Sequence, residues 1–364
     1  MEERPLIIQA ATHPGMVGKQ NEDRYRFSSF TVGPKGKTSS VLAVLCDGIG
    51  GHRAGEVAAE MAVDIVSEEI MNGDAQKPLR TIQKAITKAS DAIYAASQTN
   101  QGRQGMGTTG ALAWVIGNQL FTANIGDSRI YLLRKNHLVQ LTTDHTWVQE
   151  ALDAGLIADD QSSQHPNAHI IRRYLGSRIA PQPDFRLWYF ADEEDTDALD
   201  NQGLPLEPED TLLLCSDGLT DLVSDEEIRN VIQQSSLAQV PEVLISMANK
   251  RGGHDNITIV LMQVPSKNKV KPIRINQRRW IMAILNALAL VSLLITALFF
   301  GFRWRARWTG NERTEPLATE VLPTATIAIT ITATQKPTAS QTATAQPWTP
   351  QPSITPWPTN TMQQ

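Results

Sequence analysis

Two continuous apolar runs, SSVLAVLC at 39–46 and TLLLCS at 211–216, each end where an Asp-Gly pair begins. Runs this short and uniformly apolar read as strands buried on both faces, so the chain must supply a covering layer on each side of its sheets. Four further strand candidates follow one another over 108–141: TTGALAWVI, LFTANIG, SRIYLL and HLVQLT. Gly-Asn, Gly-Asp and Lys-Asn turn signals separate them, which predicts an antiparallel meander. NITIVLMQV after Asp255 predicts a last strand. Helical spacing appears in Leu79, Ile82, Ile86, Ala89 and Ile93 behind Pro78, and again in Val57, Met61 and Ile65. Ser224 with Glu227 forms a capping box that opens the helix DEEIRNVI. Helices kept apart from antiparallel strands predict an α+β sandwich rather than a doubly wound parallel sheet.

Acidic turns recur at the ends of these strands: NED at 21–23, DGIGG at 47–51, GDSR at 126–129, SDG at 216–218 and HDN at 254–256. One Asp-Gly alone is an ordinary turn signal. Several in this order are another matter, because carboxylates brought within a few ångströms raise one another's pKa unless divalent cations neutralise them. Oxygen-rich ligation favours Mg²⁺ or Mn²⁺ over zinc. The glycines of DGIGG let backbone approach such an ion closely. The two cysteines, Cys46 and Cys215, sit inside the apolar runs and read as buried small hydrophobes, with no Cys-x5-Arg phosphate loop around either.

The motifs NEDR (21–24), CDGIGGHRAGE (46–56), GTT (107–109), NIGDSRIY (124–131), LTTDH (141–145), CSDGLTD (215–221) and GGHDNIT (252–258) stand in the order found in a known family. Through them the chain resembles the metal-dependent PPM, or PP2C-type, serine/threonine phosphatases of bacterial form, over residues 6–264. The resemblance implies a four-layer αββα sandwich of two antiparallel sheets flanked by helices, with a binuclear Mn²⁺ or Mg²⁺ site at one end. Carried over by position, Asp47 bridges both ions and the Gly48 carbonyl completes one shell. Asp217 and Asp255 hold the first ion, and Glu22 and Asp23 serve the second. Asp127 matches the position of a third, weaker ion. Glu22, Asp23 and Asp47 are the implied catalytic carboxylates, and the implied reaction is hydrolysis of phosphoserine and phosphothreonine in proteins by water activated between two ions.

Two positions depart from the family pattern. Gly18 stands where many members carry a phosphate-clamping arginine, leaving Lys19 next door as a point charge for substrate phosphate that lacks the bidentate fork. Ile49 stands where eukaryotic members place a histidine taken as general acid; His52 follows as in bacterial forms and reads as structural. Residues 145–185 match the flap that borders the active site, and within it Arg172 and Arg173 are candidate secondary contacts to phosphoproteins. A second reading, motivated by Gly18, is a catalytically weak sensor or scaffold that binds phosphoproteins. The five retained carboxylates Glu22, Asp23, Asp47, Asp217 and Asp255 favour the enzyme.

Beyond residue 264 the composition changes. Residues 265–279 form a basic linker containing Lys267, Lys269, Lys271, Arg274, Arg278 and Arg279. Residues 280–302 are an uncharged apolar stretch long enough, at ~1.5 Å per residue in a helix, to cross a ~30 Å hydrocarbon core. Trp280 opens it and Trp304 and Trp308 follow its far end, as interfacial anchors would. The excess of positive charge before the stretch places the 6–264 domain in the cytoplasm and residues 303–364, a Thr/Pro-rich tail expected to be disordered, outside. The amino terminus, MEERPLIIQAATH, lacks the apolar core of a secretory signal. A formal net charge of -5 offers no basic face for nucleic acid. The expected partners are phosphoserine and phosphothreonine proteins, a membrane Ser/Thr kinase sharing those substrates, and the membrane itself through one helix.

Overall fold

The computed structural model describes residues 5–266 apart from 19, 34–35, 51–53 and 163–164. The chain divides into two units, Met1–Ile273 and Arg274–Gln364, and every described residue lies in the first. The basic linker beyond 266, the apolar stretch at 280–302, the tail, Lys19 and His52 all lie outside the described residues. Among the described residues no helix is long and apolar enough to cross a membrane.

In chain order the elements begin with β1 (Ile7–His13), β2 (Arg24–Val32), β3 (Thr38–Cys46), β4 (Gly48–Ile49), α1 (Ala54–Met71) and α2 (Pro78–Thr99). There follow β5 (Gly107–Thr108), β6 (Gly110–Ile116), β7 (Gln119–Ile125), β8 (Arg129–Arg134), β9 (His137–Gln140), α3 (Trp147–Asp153) and α4 (Asp159–Ser162). The last are α5 (Asp195–Asp200), β10 (Leu204–Pro205), β11 (Thr211–Cys215), α6 (Asp217–Thr220), α7 (Asp225–Gln234), α8 (Val240–Lys250) and β12 (Ile257–Gln263). Two five-stranded sheets result, ordered β1-β12-β11-β8-β9 and β10-β7-β6-β3-β2, with a short ribbon of β4 and β5 beside them. All the strand pairs are antiparallel.

The apolar runs explain the layering. Along β3, Leu42, Val44 and Cys46 point toward α1 and α2, whereas Val41, Ala43 and Leu45 point into the space between the sheets. Along β11, Leu212 and Leu214 face that same space, and Leu213 and Cys215 face the layer of α7 and α8. Three apolar cores therefore separate four layers, helices, sheet, sheet, helices, and the stretch of a strand that lies between two cores is apolar on both faces. The helix boundaries follow local chemistry: α2 begins at Pro78, and α7 opens on the Ser224/Glu227 capping box.

The expected meander is corrected. β6–β7 and β8–β9 pair as hairpins, the second through Lys135 and Asn136, both at positive φ as a type I′ turn requires. β7 and β8 do not pair: they belong to different sheets, and residues 126–128 carry the chain from one sheet to the other. Gly-Asp signals a reversal equally well whether it closes a hairpin or makes a crossover.

Trp114 lies fully buried between sheet and helices, and its indole Nε1–H donates to Ser40 Oγ at 2.7 Å. Trp114→Ala is expected to cost about 3–5 kcal/mol, measured as a lowered midpoint in urea unfolding followed by far-UV circular dichroism.

Candidate metal centre

Antiparallel pairing sets the carboxyl end of one strand beside the amino end of its neighbour, and this brings the scattered acidic residues to one end of the sandwich. Asp47 directly follows β3 and Asp217 lies two residues beyond the end of β11, one strand from each sheet. β2 pairs with β3 so that Arg24 lies opposite Cys46, which places Glu22 and Asp23 beside Asp47. β11 pairs with β12 and with β8 so that Cys215 faces Ile259 and Arg129, which places Asp255 and Asp127 beside Asp217. A cleft of about 690 Å³ is lined by Glu22, Asp47, Gly48, Asp217 and Asp255 together with Asn256 and His169. An adjoining cleft of about 580 Å³ contains Asp127, Asp221 and His169 and shares Asp217 and Asp255 with the first.

Hydrogen bonds from the surrounding scaffold fix these groups. Thr109 Oγ1 accepts from the Asp47 amide at 2.9 Å, while the Thr108 hydroxyl and the Thr109 amide donate to the Asp47 carbonyl at 2.7 and 2.8 Å. Ser216 Oγ donates to Asp23 Oδ2 at 2.8 Å, and the Glu22 amide donates to Asn256 Oδ1 at 2.7 Å. Arg24 secures the turn ahead of β2 by donating to the carbonyls of Asn21 and Asp23 at 3.0 and 2.7 Å, and it is itself held by Glu60 at 2.8 Å and by Glu56 on α1. A Cβ on Gly48 would lie 2.5 Å from the Gly55 carbonyl oxygen and 2.8 Å from that of Glu22, so only glycine lets β4 pass between α1 and the Glu22 turn.

One carboxylate oxygen each of Asp23, Asp127 and Asp217 is buried with no hydrogen-bond partner. Removal from water, followed by hydrogen bonds that offset it in part and the charge of Asp255, leaves the Asp23 carboxyl raised to about 6. Asp127 is pushed up to about 7, by burial first and then by Asp144. Burial and then the neighbouring carboxylates hold Asp47 and Asp217 well above the usual carboxylate range. Carboxylates that repel one another, with buried oxygens left unpartnered, fit hard divalent cations ligated by oxygen. Burial also pushes the Cys46 thiol up and the Cys215 thiol to about 12, so neither is a thiolate nucleophile at neutral pH.

The predicted residues Glu22, Asp47, Gly48, Asp217 and Asp255 therefore come together, with Asp23 packed beneath them and Asp127 in the adjoining cleft. Gly18 adopts φ +74° with open space around it, so an arginine here would meet no clash but would have to adopt a strained left-handed backbone. Arg172 and Arg173 line neither cleft, and Arg172 is held by Glu150 at 2.9 Å. Two groups were not singled out from sequence. Asp221 lies four residues after Asp217, a spacing of about one helical turn that could have flagged it, whereas His169 carried no local signal.

Raised carboxyl pKa values have a definite sign. The folded, metal-free protein binds more protons than the unfolded chain between the ordinary carboxylate range and about pH 7, so this contribution destabilises progressively as pH rises through that window. In chelator, the melting temperature is expected to fall between about pH 5 and pH 8. Asp47→Asn should raise it at pH 8 by a few degrees, since about 1 kcal/mol moves the midpoint of a domain this size by roughly 2–4 °C. Saturating Mn²⁺ should reverse the order of variant and wild type, and calorimetry with and without the ion checks both expectations.

Known proteins share this arrangement. The profile described as Protein phosphatase 2C matches residues 18–151. The serine/threonine phosphatase stp of Listeria welshimeri is 36% identical over 232 residues, 62% of this chain and 86% of that protein. Protein phosphatase PhpP of Streptococcus pneumoniae is 35% identical over 252 residues, 68% of this chain and 94% of that protein. Among solved structures, the Streptococcus agalactiae serine/threonine phosphatase superposes with a TM-score of 0.61 at 31% identity, covering 71% of this chain and 99% of that one. The catalytic domain of the serine threonine protein phosphatase PstP, solved in complex with two manganese ions, superposes with a TM-score of 0.58 at 31% identity, covering 72% of this chain and 99% of that one. Relatives matched over nearly their whole length, and a sandwich that gathers its acidic residues at one end, place the chain in the protein phosphatase 2C family of serine/threonine phosphatases.

Proposed function

We propose that this chain is a membrane-tethered phosphatase in which Asp47, the Gly48 carbonyl, Asp217 and Asp255, with Glu22 and Asp23, hold two Mn²⁺ or Mg²⁺ ions. The observation that carries the reading is the convergence, from both sheets, of Glu22, Asp47, Asp217 and Asp255 on one cleft, with buried unpartnered oxygens on Asp217 and on the neighbouring Asp23. Bound there, the ions supply Lewis-acid activation of water and neutralise charge on the phosphoryl oxygens. The chain's own residues do the rest. Thr108 and Thr109 pin the backbone of Asp47 from both sides, Ser216 orients Asp23, and Arg24 ties the Glu22 turn to α1. Among the described residues lining the main cleft there is no lysine or arginine, so substrate phosphate depends on the ions and on Lys19 for positive charge, and affinity for phosphate is expected to be modest.

The substrates follow from the family, phosphoserine and phosphothreonine in proteins; a membrane Ser/Thr kinase acting on the same proteins is the partner we propose by analogy. Location follows from the sequence at 265–308, where a basic segment, an uncharged apolar stretch and flanking tryptophans support a single crossing with the phosphatase domain in the cytoplasm and the tail outside.

Phosphate release from a phosphothreonine peptide is expected with Mn²⁺, to disappear with chelator, and to fall at least about 10²-fold in Asp47→Asn. Activity that survives chelator, or an Asp47→Asn variant as active as wild type, would overturn the assignment. For topology, external protease applied to intact cells should remove residues 303–364 and spare the phosphatase domain; a protected tail would reverse the orientation.

A further inference from the structure

The segment that joins β1 to β2 borders two hollows. Gln20 and Glu22 line the main cleft, whereas His13 and Met16 line a separate groove of about 600 Å³ together with Ala11 and Thr12 and, from α8, Ile245 and Ser246. The two hollows are neighbours. The Met16 amide donates to the Gly253 carbonyl at 2.8 Å, the Asn256 side-chain amide donates to the Pro14 carbonyl at 3.2 Å, and a Cβ on Gly15 would lie 2.3 Å from the Asp255 carbonyl oxygen. The wall of the groove is therefore packed on the turn that presents Asp255 and Asn256 to the cleft.

The floor of the groove is an unpaired strand edge. Ala11, Thr12 and His13 are consecutive, and consecutive strand residues point to opposite faces, so a hollow lined by all three meets β1 edge-on. Among the described residues β1 pairs with β12 alone, at the end of its sheet. Natural proteins blunt such edges with charged residues or proline. Ile7–His13 contains no Lys, Arg, Asp, Glu or Pro. Met16, 62% exposed, and Ile245 add apolar surface beside the edge, and a thioether adapts to side chains of different shape. Glu242 and Lys250 also line the groove, about 12 Å apart along α8 at ~1.5 Å per residue, which leaves room for three or four extended residues at ~3.3 Å each.

We propose that this groove receives an extended segment of the phosphoprotein substrate beside its phosphorylated residue, added as a strand to the open edge of β1 with one apolar side chain between Met16 and Ile245. The proposal rests on the phosphatase reading above and adds a feature that good substrates of that cleft must carry. Continuity with the cleft selects this occupant, because a polypeptide leaving the cleft on the Asp255 side meets Met16 and then the edge of β1. Strand addition draws affinity from main-chain hydrogen bonds that any sequence can supply, and the apolar contact does the selecting.

The test uses the full-length chain with Mn²⁺ and two kinds of substrate. One is p-nitrophenyl phosphate, too small to reach the groove. The others are phosphothreonine peptides of alanine and glutamine in which a single leucine is moved from the fifth position before the phosphothreonine to the fifth after it. Leucine at one of these positions is expected to lower KM about 10-fold with kcat unchanged. N-methylation of the backbone amides around that leucine should raise KM again. Ser246→Trp fills the groove from an exposed position on α8 and should abolish the preference for leucine while turnover of p-nitrophenyl phosphate stays at the wild-type rate. If the variant loses that turnover as well, the N-methylated peptides decide, since they need no change to the protein. Equal KM values for leucine at every position, a preference that survives in active Ser246→Trp, or indifference to N-methylation overturns the proposal. A wild type that dimerises while Ser246→Trp stays monomeric, with no leucine preference in either, assigns the groove to a second copy and overturns it too. Failure of the underlying phosphatase reading is separately visible, as an absence of Mn²⁺-dependent hydrolysis of p-nitrophenyl phosphate by the wild type.

Discussion

Repulsion among buried carboxylates is the constraint from which the rest of the structure follows. Asp23 and Asp127 are buried, Asp47 and Asp217 line the cleft beside them, and loss of water together with the neighbouring carboxylates keeps each reluctant to ionise. A fold that only had to be stable would disperse such groups. This one pins Asp47 by three hydrogen bonds from Thr108 and Thr109 and supports Asp23 from Ser216. The three apolar cores supply the stability that lets one end of the sandwich remain electrostatically strained, and cations turn that strain into binding energy.

The layering was legible because β3 from Val41 to Cys46 and β11 from Leu212 to Cys215 are apolar at consecutive positions, the pattern of strands covered on both faces. The site was legible for a related reason. Its carboxylates abut strand ends, so locating the strands locates the residues, and antiparallel pairing then decides which ends meet. The crossover at residues 126–128 was not legible, because its Gly-Asp pair looks the same as a hairpin turn and only the membership of β7 and β8 in different sheets separates the two. His169 was hidden more deeply. Its approach to Asp221 depends on a bridge between Thr146 and Ile171 and on a ring stack between Trp147 and His165, contacts that leave no periodic trace in the sequence.

The resemblance to a family and the physical reading met at different strengths along the chain. Where motif and strand end coincide, at Asp47, Asp217 and Asp255, both gave the same residues and the geometry joins them. At Gly18 they part. Gly18 takes a left-handed backbone that L side chains rarely adopt, so the departure from the family pattern at this position is matched by a conformation suited to glycine.

The direction of β12 has a mechanical consequence. That strand starts beside Asp255 and runs about 20 Å, at ~3.3 Å per residue, before the chain leaves it, and Ile7 at the start of β1 lies opposite Gln263 at that same far pole. Both entry and exit of the domain are thus moored at the pole remote from the acidic one. The mouth of the acidic cleft is thereby left clear of both strand ends, and a bulky protein can present its modified side chain there without meeting them.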